Sequence, residues 1–291
     1  MYSIKRLNNG KKLVRFMNES VDNQEIYINT REELDNLLKN YPSGAPRVVI
    51  GEKVKLARLF EKFNKNIDIS NWDVSNVRDM NWMFINSNFN GDISNWDVSN
   101  VERMYRMFEN SKFNGDISNW DVSNVRDMDY MFARTNFNGD ISNWDVSNVI
   151  CMNDVFNKSK FNGDISNWDV SNVWYMSGMF AGTKFNGDIS NWDVSNVVNM
   201  EAMFFASSFN QDISGWDVSN VKNMNRTFAW SKFNQDISNW NVSKVKDMYH
   251  MFANSNFNQD VSNWNLRSVE RIEGMFEDTP LERSGNTPSW Y

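Results

Sequence analysis

Phe89-Asn-Gly-Asp-Ile-Ser-Asn-Trp96-Asp-Val-Ser-Asn-Val101-Glu-Arg-Met104-Tyr-Arg-Met107-Phe108-Glu-Asn-Ser-Lys112 is the stretch whose reading decides the fold. It recurs every 24 residues, and its tryptophan returns at Trp72, Trp96, Trp120, Trp144, Trp168, Trp192, Trp216, Trp240 and Trp264. A fixed period of this length means one supersecondary unit stacked on copies of itself. Such a stack has long, regular faces, a shape that favours binding over chemistry.

Inside the unit the apolar spacing changes once. Ile93, Trp96 and Val98 follow an L-x-x-L-x-L pattern with polar residues between, and Trp96-Asp-Val98 alternates like a strand. Val101, Met104, Met107 and Phe108 then fall on one helical stripe. Ser99 or Asn100 stands where it would cap that helix, and Ser99-x-x-Glu102 completes a capping box. Asn114-Gly115-Asp116 supplies the turn toward the next copy. One short strand and one short helix per repeat is the plan of a leucine-rich repeat. The expected fold is therefore α/β: a right-handed leucine-rich-repeat-like solenoid of about nine strand-helix repeats, spanning about 43 Å at strand spacing.

The ends read differently. Residues 1–46 suggest a small mixed α/β head. Tyr2–Leu7 and Lys11–Phe16 flank a turn at Asn8-Asn9-Gly10, and Glu25–Asn29 suits a third strand. Thr30-Arg-Glu-Glu33 has the capping-box pattern ahead of Leu34, Leu37 and Leu38, and Pro42-Ser-Gly-Ala-Pro46 breaks the chain. Residues 47–64 align as a degenerate capping repeat, with Val48 on the tryptophan column and Leu56, Leu59 and Phe60 on Met-x-x-Met-Phe. Nine repeats occupy 65–280, and 281–291 form a C-terminal cap.

Net charge is -7, which argues against nucleic acid or an anionic membrane surface as partner. The charge is uneven: residues 1–64 carry 12 Lys/Arg against 8 Asp/Glu, and the remainder 18 against 29. A basic head on an acidic body reads either as an attachment end or as carrying no function. Cys151 is the only cysteine, so no internal disulfide forms. No apolar run approaches the ~18 residues that span a bilayer, and the first residues lack the apolar core of a signal peptide. Neither membrane insertion nor a lipid anchor is expected.

The repeat Gly-Asp-Ile-Ser-Asn-Trp-Asp-Val-Ser-Asn-Val-x-x-Met-x-x-Met-Phe resembles the BspA-like leucine-rich-repeat surface proteins, including the tandem repeats of mycoplasma lipoproteins. The likeness covers roughly residues 47–280. It implies a surface-exposed, non-enzymatic protein acting in adhesion or partner binding, with a cell-surface or host-facing target. The absence of a visible export or lipid signal sets this chain apart from that pattern.

Comparing the copies separates scaffold from variation. The Phe of Met-Phe (Phe84 to Phe276) and the turn Asp (Asp68 to Asp260) are present in all nine. Tryptophan and methionine read as core, the Trp in a leucine position rather than on a sugar-binding face and the Met filling gaps between rings. Asn95, Asp97 and Ser99 point outward. The Asp97 column repeats as a ladder from Asp73 to Asp217 before turning to Asn241 and Asn265. Like charges ~4.8 Å apart repel by ~0.9 kcal/mol even in water. Hydrogen bonds from neighbouring Ser, Asn and backbone groups would offset this; so would weak binding of cations such as Ca²⁺, or a partner's basic groups.

Variation concentrates on the helix side. There, large aromatics and arginine stand where the pattern leaves the surface: Trp82, Tyr105, Arg106, Tyr130, Trp174, Tyr175, Trp230 and Tyr249. Such residues are enriched at binding hot spots, whereas drift on a solvated face favours small and charged ones. The expectation is a protein-binding surface, best in repeats 1–5. Two rival readings are an adhesin using the Asn/Asp/Ser ladders for carbohydrate or cations, and a spacer within a larger assembly such as a virus or phage appendage. Catalysis finds no local exception to the repeat; His250 and Cys151 each stand alone, and no cofactor motif occurs.

Overall fold

The computed structural model describes residues 2–6, 12–16, 25–42, 46–64 and 67–291. The chain begins with an antiparallel hairpin, β1 (Tyr2–Arg6) and β2 (Lys12–Phe16), in the register Tyr2↔Phe16 to Arg6↔Lys12. The Asn8-Asn9-Gly10 turn lies outside the described residues. Three short parallel strands follow in the order β3 (Glu25–Ile28), β4 (Arg47–Ile50), β5 (Trp72–Asp73). Helix α1 (Arg31–Lys39) connects β3 to β4. Its capping box is formed: the Glu33 amide donates to Thr30 Oγ1 at 3.2 Å and the Thr30 amide to Glu33 Oε2 at 3.3 Å. Leu34 and Leu37 are buried, and Arg31 donates to the Lys55 and Ala57 carbonyls at 3.0 and 2.9 Å. The helix thereby covers the open end of the first copy.

The expectation of a helix in each repeat is corrected. Along Met104–Ser111 the amides of Met107, Glu109 and Ser111 close tight turns onto Met104, Arg106 and Phe108 carbonyls. The amides between them, Met104, Arg106, Phe108 and Asn110, donate to Asp127, Asp129, Met131 and Ala133 of the next copy at 2.9–3.0 Å. A helix would send every amide four residues back along its own chain. Here every second amide leaves for the neighbour instead. The backbone also turns left-handed twice per copy, at Arg106 (φ 54°) and Asn110 (φ 53°) in this one, which a right-handed helix cannot accommodate. The pattern deceives because consecutive turns put the same apolar positions inside as a helix would. The capping box expected at Ser99-x-x-Glu102 is replaced accordingly: the Ser99 amide and hydroxyl donate to Asp97.

The strand is displaced too. Beyond the first copy, the Trp-Asp-Val segment runs between two turns, one closed by Trp96 N–H to Ile93 and the next by Val101 N–H to Val98. The parallel pairing between copies instead runs through Asp79↔Arg103↔Asp127↔Cys151↔Tyr175↔Asn199↔Asn223↔Asp247↔Arg271.

The core is aromatic. Phe84, Phe108, Phe132 and their equivalents stack face to face along the repeats, with centroids 5.4 Å apart for Phe84–Phe108 and 5.7 Å for Phe108–Phe132. The Phe113 column runs beside them, 4.2 Å from Phe108. Tryptophan lies inside as well, with Trp96 3% exposed, and its indole N–H explains why this column is not leucine. Trp96 Nε1 donates to the Ile69 carbonyl at 3.0 Å, and each later Trp does the same to the isoleucine 27 residues earlier, ending with Trp264 and Ile237 at 3.2 Å. One side chain fills the core and ties its copy to the one before, satisfying a buried carbonyl.

Both ends imitate this tie. At the start, the Tyr41 hydroxyl accepts from Trp72 Nε1 at 2.9 Å and donates to the Asp68 carbonyl at 2.7 Å. Burial pushes its pKa up to about 12. At the end, α2 (Pro280–Arg283) buries Leu281. Trp290 then lies 6.1 Å from Phe276 and donates to the Ser262 carbonyl at 3.2 Å, while Tyr291 packs edge-on against Phe276 at 5.1 Å.

Candidate functional site

The exposed surface is set by three columns that line the hydrogen-bonded side: the one through Arg78, the one through Asp79, and the pair Asn81-Trp82 with its equivalents. Their variation follows a rule. The amide at the Asn81 position finds no backbone acceptor, and in every copy but that of exposed Glu273 a side chain takes it. Where the residue two before is Asp or Asn, that side chain does so: Asp79 for Asn81, Asp127 for Asp129, Asn199 for Glu201, Asn223 for Asn225, Asp247 for Tyr249, at 2.9–3.0 Å. Where it is Arg103, Cys151 or Tyr175, the preceding copy supplies the acceptor. Asn81 takes the Tyr105 amide at 2.8 Å, Asp129 that of Asn153 at 2.6 Å, and Asn153 that of Ser177 at 2.9 Å. Residues that look free to drift are thus coupled in pairs across copies. Glycine and asparagine scattered through the Trp82 and Asn86 columns (Gly178, Gly182, Gly274, Asn110, Asn254) occupy the left-handed positions. They were the signal in the sequence against a helix.

The aromatic candidates separate into distinct groups. Trp82, Tyr105, Arg106 and Tyr130 pack on one another. Trp82 meets Tyr105 edge-on at 5.1 Å, Tyr105 lies 6.1 Å from Tyr130, and the Arg106 guanidinium stacks over both tyrosines at 5.1 and 4.1 Å while pairing with Glu109 at 2.9 Å. Arg58 covers Trp82. These rings are half-buried and partly spent on each other. Tyr249 is likewise held, edge-on to His250 and under Arg226 and Arg271; His250 in turn reaches Glu277 at 3.0 Å. Trp230 is exposed (61%) but isolated.

Trp174 (50% exposed) and Tyr175 (39%) differ from all of these. The Trp174 amide donates to the Ile150 carbonyl, and the Val198 amide to that of Trp174, at 3.0 Å each. Ile150 (40% exposed) and half-buried Val198 therefore flank Trp174 on neighbouring copies. Three successive copies present an apolar side chain at a column that is charged in the copies on either side: Arg78, Glu102 and Arg126 before, Lys222, Lys246 and Glu270 after. Ile150 was not among the residues singled out from the sequence, because one isoleucine in a variable column carries no signal until its neighbours are known.

The carboxylates fall into two classes. In the turn column, the Ser94 amide and hydroxyl donate to one oxygen of Asp92 at 2.9 and 2.7 Å, an arrangement repeated at Asp116 and Asp140. These hydrogen bonds hold Asp92, Asp116, Asp140, Asp164, Asp188, Asp212, Asp236 and Asp260 below the ordinary carboxylate range. The Asp97 ladder is engaged in the same way by Ser99, so local donors offset the repulsion between its members. Around Cys151 the opposite holds. Burial raises Asp127, Asp154 and Asp129, the last to about 6, and pushes the Cys151 thiol up to about 11, leaving it far from a reactive thiolate at neutral pH. Among the described residues no three His, Cys, Asp or Glu side chains gather where they could hold a metal ion. None of their helices is long and apolar enough to cross a membrane.

Residues 54–160, 133–232 and 183–290 each match the family described as "Mycoplasma protein of unknown function, DUF285". The three overlapping matches take in most of the chain, and the chain belongs to that family. Neither a curated protein nor a solved structure matches it.

Proposed function

We propose that this member of the DUF285 family is a non-enzymatic recognition scaffold, a right-handed solenoid that holds a protein partner against its variable face in the manner of the BspA-like surface proteins. The observation that carries this reading is the Ile150–Trp174–Tyr175 patch. Of the large hydrophobic residues exposed among the described residues, Ile150, Trp174 and Tyr175 are contiguous while Tyr27, Trp230 and Tyr291 stand apart. A contiguous apolar patch rimmed by charge marks an interaction surface more strongly than scattered exposed rings do. The Asp ladders support the adhesin alternative less well, because one oxygen of each aspartate already accepts hydrogen bonds from serine.

The test is capture. The chain is immobilised beside a variant carrying Ile150→Ser, Trp174→Ser and Tyr175→Ser, all exposed and removable without opening the core. A protein retained by the first and lost by the second supports the scaffold reading. Equal retention moves binding to another face, and a lack of any retained protein from cells or lysate counts against a recognition role.

A further inference from the structure

The apolar patch is bracketed by charge in a specific way. Along the column, Arg78 pairs with Glu102 and Lys246 with Glu270, each at 2.9 Å. Arg126 and Lys222, which directly flank Ile150–Trp174–Val198, are exposed and form no ion pair among the described residues. Two free cations thus stand one at each end of three apolar side chains. The cations are four copies apart, four steps of ~4.8 Å or about 19 Å. An exposed cation whose equivalents elsewhere in its column are neutralised within the chain is available to a carboxylate from outside.

We propose that this surface docks an amphipathic acidic helix: three apolar side chains on successive turns, bracketed by a carboxylate at each end, lying along the direction in which the copies stack. The inference rests on the scaffold reading and adds the partner's chemistry. The helical pitch of 5.4 Å nearly matches the ~4.8 Å step between copies. One apolar residue per turn therefore falls on each of Ile150, Trp174 and Val198. The accumulated mismatch over four steps, about 2.4 Å, is within the reach of the Arg126 and Lys222 side chains. Tyr175, in the adjacent column, borders the central turn. An extended strand repeats on one face every ~6.6 Å and falls out of step after one residue.

The test uses the full chain and three fluorescein-labelled helical peptides of about 16 residues, long enough to span the site. The first has a leucine stripe ending in Glu at both ends, the second has Lys at both ends, and the third keeps Glu but has serine in the stripe. Fluorescence anisotropy is read at low and physiological salt. Expected is saturable binding of the Glu-ended leucine peptide, at least about tenfold tighter than either control and weakened by salt. Trp174→Ser should abolish it, and the pair Arg126→Glu, Lys222→Glu should reverse the preference toward the Lys-ended peptide. Both variants change exposed side chains, and an unchanged thermal midpoint verifies their fold. Equal binding of Glu- and Lys-ended peptides, a preference that survives the charge reversal, or no binding at all would overturn the proposal. If capture of a protein still depends on Trp174 while the peptides show no charge preference, the scaffold reading stands and this inference alone fails.

Discussion

At the scale of single residues, the variable columns carry more structure than their variability suggests. Asp129 accepts the Asn153 amide because Cys151 cannot. Asp129→Ala should therefore cost about 1–3 kcal/mol by stranding that amide, and adding Cys151→Asp should restore most of the loss by returning the acceptor to its own copy. A urea-unfolding double-mutant cycle checks this, and additive losses would refute the pairing. Asp129→Asn keeps the acceptor for the Asn153 amide but loses the one for the Asn153 side-chain Nδ2, and should cost less than Asp129→Ala. The left-handed positions offer a second check. Ala206 is exposed with φ 53°, where a Cβ is strained by ~1–2 kcal/mol and glycine is not. Ala206→Gly should raise stability by about 0.5–1 kcal/mol and Ala206→Val lower it. The reverse substitution, Gly178→Ala, should lower stability, because the φ is left-handed there too and a Cβ would collide with the Asp154 carboxylate.

At the scale of elements, the Thr30 capping box and the buried columns could be read in the sequence, and the backbone of the repeat could not. The capping box at Thr30, the core positions of Trp96, Met104 and Phe108, and the Asp92 turn follow from local chemistry and are found in the structure. Val101, Met104, Met107 and Phe108 read as a helix from spacing alone because three linked turns bury the same positions as one helix. Only the recurrent glycine and asparagine in the Arg106 and Asn110 columns distinguished the two. The candidate site was half legible: Trp174 and Tyr175 stand out as large exposed rings. That Trp82, Tyr105 and Tyr130 would stack on Arg106 depends on distances between copies that spacing alone does not give. The ends of the stack lead to a prediction of their own. Tyr41→Phe removes the acceptor for the Trp72 indole and the donor to the Asp68 carbonyl. It should cost about 1–3 kcal/mol, felt first as faster amide exchange around Trp72 and hardly at all beyond Trp144. Uniform exchange along the chain would show that the copies melt as one.

At the scale of the whole molecule, the two classes of aspartate set opposite pH dependences, and the repeat multiplies the first. The turn aspartates from Asp92 to Asp260 have pKa values lowered by their serine donors. The native state therefore holds fewer protons than the unfolded one. Their contribution is present above the ordinary value of 3.8 and is lost as pH falls through the lowered values. Because the same turn recurs in every copy, the losses fall together and the acid arm should be steep. Asp127, Asp129 and Asp154 are raised, so the native state holds more protons there. Their contribution is favourable below 3.8 and is lost as pH rises, through about 6 for Asp129. Stability should thus peak near pH 4, falling steeply on the acid side and gently between about pH 4 and 6 before levelling off above that. Urea midpoints from pH 2 to 8 measure both arms. Asp127→Asn, Asp129→Asn and Asp154→Asn combined should flatten the gentle arm and leave the acid arm in place. Replacing Ser94, Ser118 and Ser142 by alanine should soften the acid arm alone. If the acid arm ignores the serine replacements, the recurrent turn is not what makes the stack sensitive to acid.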